Sequence, residues 1–208
     1  LKSPIAIVET KPKTIEVTSL IPPDSHKSLP VTGLEGRSLA DNIVNELSIY
    51  QIGDNQIFEL ILTQNMGSST TSLTGSQFID KMNYNMPDIL KRSLTDRWML
   101  GGISIEGQRL PFMILTTDFF QNAFAGMLKW ESSMPSELAQ IMGYEDKTRY
   151  GIFEDKIIKN RDIREFKNER GEILFLYSFI DKDTILITNS EATAAFLVDR
   201  IEKQTYIR

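Results

Sequence analysis

The sequence predicts an α+β domain in which helices pack on mixed or antiparallel sheets. Amphipathic segments of helical period alternate along the chain with short runs rich in β-branched residues. Turn signals with glycine, asparagine or aspartate separate neighbouring runs of the β type. The 208 residues, 41% apolar and 25% charged, are typical of a folded globular protein.

Residues 1–37 are expected to form an extended lead-in or tether, and residues 38–208 a single α+β globular domain. Prolines, which cannot donate a hydrogen bond to a β-ladder, interrupt the lead-in five times. Between them, Thr14–Thr18 alternates polar and apolar residues and predicts an edge strand. Residues 38–144 and 145–208 are candidate sub-units of the domain.

Helices are predicted where apolar residues repeat at helical spacing behind a capping residue or a proline. Most of these segments also end at a residue that favours termination, as Gly143 does by its freedom to take a left-handed conformation. The helices are predicted from Ser38 to near Gly53, from Ser76 to about Asn83, from Pro87 through Leu94, from Thr117 or Asp118 to about Glu131, from Pro135 to Gly143 and from Ser190 to about Lys203.

The helix after Thr117 or Asp118 has the strongest apolar pattern. Its apolar residues occur as pairs one turn apart, which predicts a wide buried stripe. They are Phe119, Phe120, Ala123, Phe124, Met127 and Leu128. If this stripe is core, replacing Phe124 by alanine should cost about 3–5 kcal/mol of stability.

Strands and turns account for most of the remaining chain. Gly67–Ser76 contains almost only small and polar residues and is expected to be a mobile loop. Two adjacent glycines, Gly101 and Gly102, within a strand pattern indicate a bulge or a close approach of backbones. The strands are predicted at Ile57–Leu62, Trp98–Ile105, Phe112–Leu115, Ile152–Ile158, Ile163–Phe166, Ile173–Phe179 and Thr184–Thr188.

Two hairpin–helix segments in the second half of the chain resemble each other. A shift of 72 positions (195 minus 123) places Ala123-Phe124 on Ala195-Phe196 and Leu115-Thr116 on Ile187-Thr188. This pattern favours two related α+β units, although any hairpin followed by an amphipathic helix shares much of it.

Composition excludes several classes of function. The chain has no cysteine and one histidine, so thiolate chemistry and a catalytic triad with histidine are not expected. A net charge of -5, without a basic stripe, argues against nucleic-acid binding. No phosphate-binding loop occurs, and we expect no cofactor and no bound metal. No catalytic residue can be assigned from the sequence.

Three groups of residues remain as weak site candidates. Asp181-Lys182-Asp183 offers two carboxylates, but a hairpin turn explains it better. Glu131, beside Trp130, is expected to be solvated at a helix end, and Asp118 is too distant along that helix to act with it. The charged run 159–164 is expected to be a solvated loop or an edge strand blunted by charge.

Three segments, Ala123–Glu131, Lys159–Arg164 and Ile185–Thr188, carry a family resemblance. From Trp98 to Ile201 the chain resembles uncharacterised single-span membrane-anchored proteins of candidate-phylum bacteria of the Parcubacteria type. The resemblance implies an N-terminal membrane helix followed by an extracytoplasmic domain. It implies no functional residue.

The expected function is therefore that of an extracytoplasmic, membrane-tethered module that binds protein partners. The chain begins at Leu1 rather than at methionine, so we expect a hydrophobic segment to precede it. The alternative is a soluble hydrolase, located in the cytoplasm, that works through carboxylates and water. Two converging buried carboxylates in a pocket would favour the hydrolase, and a flat apolar patch would favour the binding module.

Overall fold

The computed structural model describes residues 19–67, 69–145 and 151–205. The strands are β1 (Ser25–Pro30), β2 (Ile57–Met66), β3 (Ser69–Ser72), β4 (Leu94–Ile105), β5 (Gln108–Thr117), β6 (Gly151–Ile158), β7 (Arg161–Asn168), β8 (Ile173–Phe179) and β9 (Thr184–Thr188). The helices are α1 (Gly36–Ile49), α2 (Gly75–Met82), α3 (Asp88–Lys91), α4 (Phe120–Trp130), α5 (Met134–Met142) and α6 (Glu191–Thr205).

All of these strands belong to one sheet. Its order is β1-β2-β4-β5-β9-β8-β7-β6, with β3 paired to the end of β2. Within the described ranges, β1 and β2 are parallel and the other pairs are antiparallel. The predicted α+β class is thus confirmed. The edge strand β1 lies within the segment expected as a lead-in, whereas the strand predicted at Thr14–Thr18 falls outside the described residues.

Helices cover both faces of the sheet, and strand alternation divides the core into two clusters. On β5, Met113 and Leu115 point into the cluster that contains α1 to α5. Ile114, which lies between them, and Phe112, which precedes Met113, point into the cluster that contains α6. Because successive side chains of a strand point to opposite faces, the two clusters lie on the two faces of the sheet. Among the described helices, α6 alone packs on the second face.

Several helix boundaries differ from the predicted ones. α1 begins at Gly36 rather than Ser38, because Glu35 caps it and donates its backbone N–H to Ser38 Oγ at 3.3 Å. It ends at Ile49, before Gly53. α3 has only four residues, since Leu94 already begins β4. α5 matches its predicted limits closely, and Gly143, with φ of +80°, takes the left-handed conformation at its end.

The segment Gly67–Ser76 is not the open loop that its composition predicts. Its central residues form β3, which pairs antiparallel with β2 from Thr63 to Met66. Thr74 then caps α2: the Gln77 backbone N–H donates to Thr74 Oγ1 at 3.3 Å, and the Thr74 N–H donates to Gln77 Oε1 at 3.0 Å. The polar side chains here end a strand and begin a helix, so the backbone hydrogen bonds are satisfied locally.

Gly101 confirms the predicted close approach of two backbones. A Cβ atom at this position would lie 2.1 Å from the Phe58 carbonyl oxygen and 2.9 Å from the Phe112 ring. The irregularity in β4 occurs earlier, between Leu94 and Trp98, where the register with β5 shifts. The glycine therefore allows β2 and β4 to pair, and a side chain there would force them apart.

The apparent repeat extends to the hairpins but not to the helices. The β4–β5 and β8–β9 hairpins lie side by side, because β5 pairs with β9. Leu115 and Ile187, which the 72-residue shift equates, point to the same face. The helices α4 and α6 nevertheless pack on opposite faces of the sheet. The two segments are therefore not equivalent in three dimensions.

Candidate functional site

A groove of about 1050 Å³ separates α4 from the strands β6, β7 and β8. One wall is the side of α4 that carries Phe120, Phe124 and Leu128. The floor and the opposite wall carry Asp155, Ile157, Asp162, Arg164, Tyr177 and Phe179. The far end is formed by the β6–β7 and β8–β9 turns. The groove is thus apolar along the helix and of mixed character along the sheet.

The exposed wall of α4 corrects the prediction of a wide buried stripe. Ala123 and Met127 are fully buried as predicted, but Phe124 is 47% exposed and Leu128 43% exposed. Phe119, at the start of the helix, is 59% exposed. One half of the stripe packs in the core and the other half faces solvent.

An aromatic cluster extends this apolar wall onto β8. The rings of Phe120 and Phe124 lie 5.1 and 5.8 Å from that of Phe179, and 5.9 Å from each other. Across the groove, Ile157 on β6 is 70% exposed. Exposed apolar side chains of this size, gathered around one concave surface, are typical of interaction sites.

A hydrogen-bonded network holds the other side of the groove to the end of α4. Arg164 donates from Nε and Nη2 to the two carboxylate oxygens of Glu131, at 2.9 and 2.8 Å. The Tyr177 hydroxyl donates to the same carboxylate at 2.6 Å, and Arg164 Nη1 donates to Asp155 at 2.9 Å. Bidentate pairing of this type fixes direction as well as distance. The network therefore fixes the end of α4 relative to β6, β7 and β8.

The pKa values agree with a network that stays in one protonation state. The hydrogen bonds to Glu131 raise the pKa of Arg164, so its guanidinium stays charged. Burial, followed by the hydrogen bond to Glu131, raises the pKa of Tyr177, so its hydroxyl remains a donor. The Arg164 guanidinium also lies 5.5 Å from the centre of the Phe153 ring, within the range of a cation–π contact.

The sequence singled out two parts of this network but not their connection. Glu131 was expected to be solvated, yet its side chain is only 15% exposed because Arg164 and Tyr177 cover it. The indole of Trp130 donates to Glu137 and not to Glu131. Tyr177 gave no signal in the sequence, since it lies inside an apolar strand pattern.

The charged run 159–164 divides between a solvated turn and an inner strand, so the expectation of a solvated loop holds for its first two residues and that of an edge strand is wrong. Lys159 and Asn160, with φ of 51° and 58°, form the two-residue turn of the β6–β7 hairpin. The residues from Arg161 onward belong to β7, which lies between β6 and β8. At Asp181-Lys182-Asp183 the predicted turn is confirmed, with the Asp183 N–H bound to Asp181 at 2.8 Å.

Two carboxylates are buried elsewhere, but they do not converge. Glu59 on β2 is 3% exposed, and its burial raises the pKa of this carboxyl group. Glu165 on β7 is fully buried and lies 3.0 Å from the Lys167 ammonium. Five inter-strand steps separate β2 from β7 in the sheet, which is about 24 Å. These two residues therefore cannot act on one substrate atom.

Residues 19–67, 69–145 and 151–205 contain neither a cluster of metal ligands nor a helix suited to spanning a membrane. In these ranges, no three histidine, aspartate or glutamate side chains are arranged to hold a metal ion. No helix there combines the length and apolar character needed to cross a membrane. Comparisons with protein families, with curated proteins and with solved structures find no match to this chain.

Proposed function

We propose that this domain is a binding module that holds a segment of a protein partner in the groove between α4 and β6–β8. The observation that carries the proposal is the solvent-exposed half of the α4 stripe, Phe124 and Leu128, beside Phe179. Removing these side chains from water contributes about 25 cal/mol per Å² of apolar surface, and the part that exceeds the entropy lost on association appears as affinity.

The charges of the groove define the kind of segment that fits. Its lining includes the basic residues Arg161, Arg164 and Lys182 and the acidic residues Asp155, Asp162 and Asp181. A partner segment with apolar anchors for α4 and flanking charges of both signs is complementary to this lining. The rigid network around Arg164 lowers the entropy lost on binding, since this side of the groove is ordered before the partner arrives.

A hydrolase that uses the carboxylates of the groove, or Glu59 together with Glu165, receives no support from these contacts. Glu131 and Asp155 are both bound to Arg164, so neither is free to act as a base on a water molecule. The buried Glu59 and Glu165 are on distant strands. The binding module is therefore the function we favour, and the hydrolase stays an untested alternative.

Photo-crosslinking tests the binding proposal. A benzophenone amino acid replaces Leu128 in the full-length gene product, and the same amino acid at Ile49 is the matched control, because Ile49 is also exposed (55%) but lies on α1. We expect a discrete protein adduct at position 128 that is absent at position 49. Adding Phe124→Asp should abolish it. Equal adducts at both positions, or none at position 128, would contradict the proposal.

We also propose that the module is tethered on the extracytoplasmic face of a bacterial membrane. Support comes from the resemblance described for Trp98 to Ile201. A fusion of the full gene product to alkaline phosphatase, which is active only outside the cytoplasm, tests the location. We expect phosphatase activity in the membrane fraction. An inactive fusion in the cytosolic fraction would reject the tether and leave the groove proposal standing.

A further inference from the structure

The strand β6 ends the sheet with an open edge. Among the described residues it pairs only with β7. Two of its large apolar residues are among the most exposed in the described chain: Ile152 is 61% exposed and Ile157 is 70% exposed. By strand alternation, Ile157 points to the groove face and Ile152 to the face that α6 covers.

The hairpin geometry determines which backbone groups of β6 point outward. In a hairpin with a two-residue turn, the residues that flank the turn, here Ile158 and Arg161, exchange hydrogen bonds with each other. Every second residue from Ile158 backwards then bonds to β7. The N–H and C=O groups of Phe153, Asp155 and Ile157 are consequently directed away from the sheet.

We propose that a second copy of this chain pairs with β6 along this edge, antiparallel, about a twofold axis at Asp155. In an antiparallel pair, the side chains of opposite residues point to the same face. The twofold axis must therefore lie midway between a residue of β6 and the same residue of the second copy. With the axis at Asp155, Phe153 lies opposite Ile157 of the second copy, and Ile152 lies opposite Ile158. Glu154 then lies opposite Lys156, so apolar side chains meet apolar ones and opposite charges meet.

Neighbouring registers lack this complementarity. An axis at Glu154 places two glutamates opposite each other and sets Ile152 against Lys156. An axis at Lys156 places two lysines opposite each other and sets Ile157 against Asp155. Like charges directly opposite are destabilising, and so is an apolar residue set against a charge. Of these three registers, the side chains of β6 therefore favour the one with its axis at Asp155.

The selected register has one unfavourable pair, Asp155 opposite Asp155. Each of these carboxylates is bound to its own Arg164 at 2.9 Å, which offsets part of the repulsion. The remaining repulsion weakens the association. Because a twofold axis normal to the sheet keeps both copies in the same orientation, the two grooves lie next to each other on one face. The edge of β6 shares Asp155 and Ile157 with the lining of the proposed binding groove, but the pairing rests on the open strand edge and not on occupation of the groove.

Disulfide trapping tests the register directly, because the chain contains no cysteine. In Asp155→Cys the two new thiols lie opposite each other, at a Cα separation of about 5.5 Å that suits a disulfide. In the matched control, Ile152→Cys, they lie about 20 Å apart along the paired strands. We expect oxidation to give a covalent dimer of the first variant and not of the second. Equal dimer in both variants, or none in Asp155→Cys, would overturn the proposal.

Sedimentation at a series of protein concentrations tests the energetics without a covalent bond. Ile157→Lys should weaken self-association by about tenfold or more, and Asp155→Asn should strengthen it by about two- to fivefold, because it removes the like-charge pair. The control Ile49→Lys should leave it unchanged. Self-association that Ile157→Lys does not alter, or wild-type and Asp155→Asn chains that stay monomeric, would contradict the inference. The groove variant Phe124→Asp, which tests partner binding, should leave self-association intact, so the two proposals can fail separately.

Discussion

The helices α4 and α6 both follow a β-hairpin and both carry a wide apolar face, but they bury it to different extents. In α6, Ala194, Leu197 and Val198 are fully buried, and Phe196 is partly covered, with the Arg200 guanidinium 5.1 Å from its ring. In α4, the corresponding Phe124 is nearly half exposed. The spacing of apolar residues therefore predicts the width of the apolar face of a helix. How much of that face is buried depends on the elements that pack against the helix.

One side of α4 packs closely against α3, and the other side is open to the groove. A Cβ atom on Gly126 would lie 2.5 Å from the Leu90 Cβ, so α4 and α3 touch along this side. Ala123, Met127 and Trp130 share the buried half with Gly126. Phe124 and Leu128 are each one residue further on, about 100° around the helix, and face the groove.

The buried half of α4 should show the largest effect on stability. Trp130 is fully buried, and its indole N–H donates to Glu137 at 2.6 Å. Trp130→Ala should lower the free energy of unfolding by about 3–5 kcal/mol, because it leaves a large cavity. Urea denaturation followed by circular dichroism measures this loss. A change below about 1 kcal/mol would mean that α4 does not pack as described.

On α6, a core residue should have a comparable but smaller effect. Leu197 is fully buried against the opposite face of the sheet. Leu197→Ala should cost about 2–5 kcal/mol in the same denaturation experiment. The exposed Ala192 of the same helix provides the control, since Ala192→Ser should change stability by less than about 0.5 kcal/mol. Equal effects of the two substitutions would contradict the packing of α6.

The network at the end of α4 should contribute less than either core. Glu131→Gln keeps the shape of the side chain but removes the charge that Arg164 and Tyr177 contact. We expect a loss of about 1–2 kcal/mol in the free energy of unfolding, since hydrogen bonds to charged groups are stronger than neutral ones. Glu154→Gln, which alters a more exposed ion pair with Lys167, should have a clearly smaller effect. Equal losses in the two variants would argue against a special role of Glu131.

The smallest effect is expected on the exposed half of α4. Phe124→Ala should cost less than about 1 kcal/mol, and not the 3–5 kcal/mol of a core phenylalanine, because its ring is already 47% exposed. Met127→Ala, three residues further along and on the buried half, should cost about 2–5 kcal/mol. A loss at Phe124 as large as that at Met127 would show that the groove is closed in solution.

Much of the local structure could be predicted from neighbouring residues. Glu106 and Gly107, with φ of 52° and 74°, form the turn expected between the paired strands β4 and β5. Asn168 accepts hydrogen bonds from the N–H groups of Arg170 and Glu172, which closes the predicted turn before β8. In each case the groups that determine the conformation lie within a few residues of one another.

The groove depends on residues that are far apart in the chain. Glu131 and Arg164 are 33 residues apart, and Glu131 and Tyr177 are 46 apart. No sequence period connects them, because their contact depends on β7 and β8 lying beside the end of α4. Sequence alone therefore determined the α+β class, most of the turns and the apolar width of α4. Only the tertiary structure decided which half of that width is buried, because burial depends on the elements that pack against the helix and not on the helix itself.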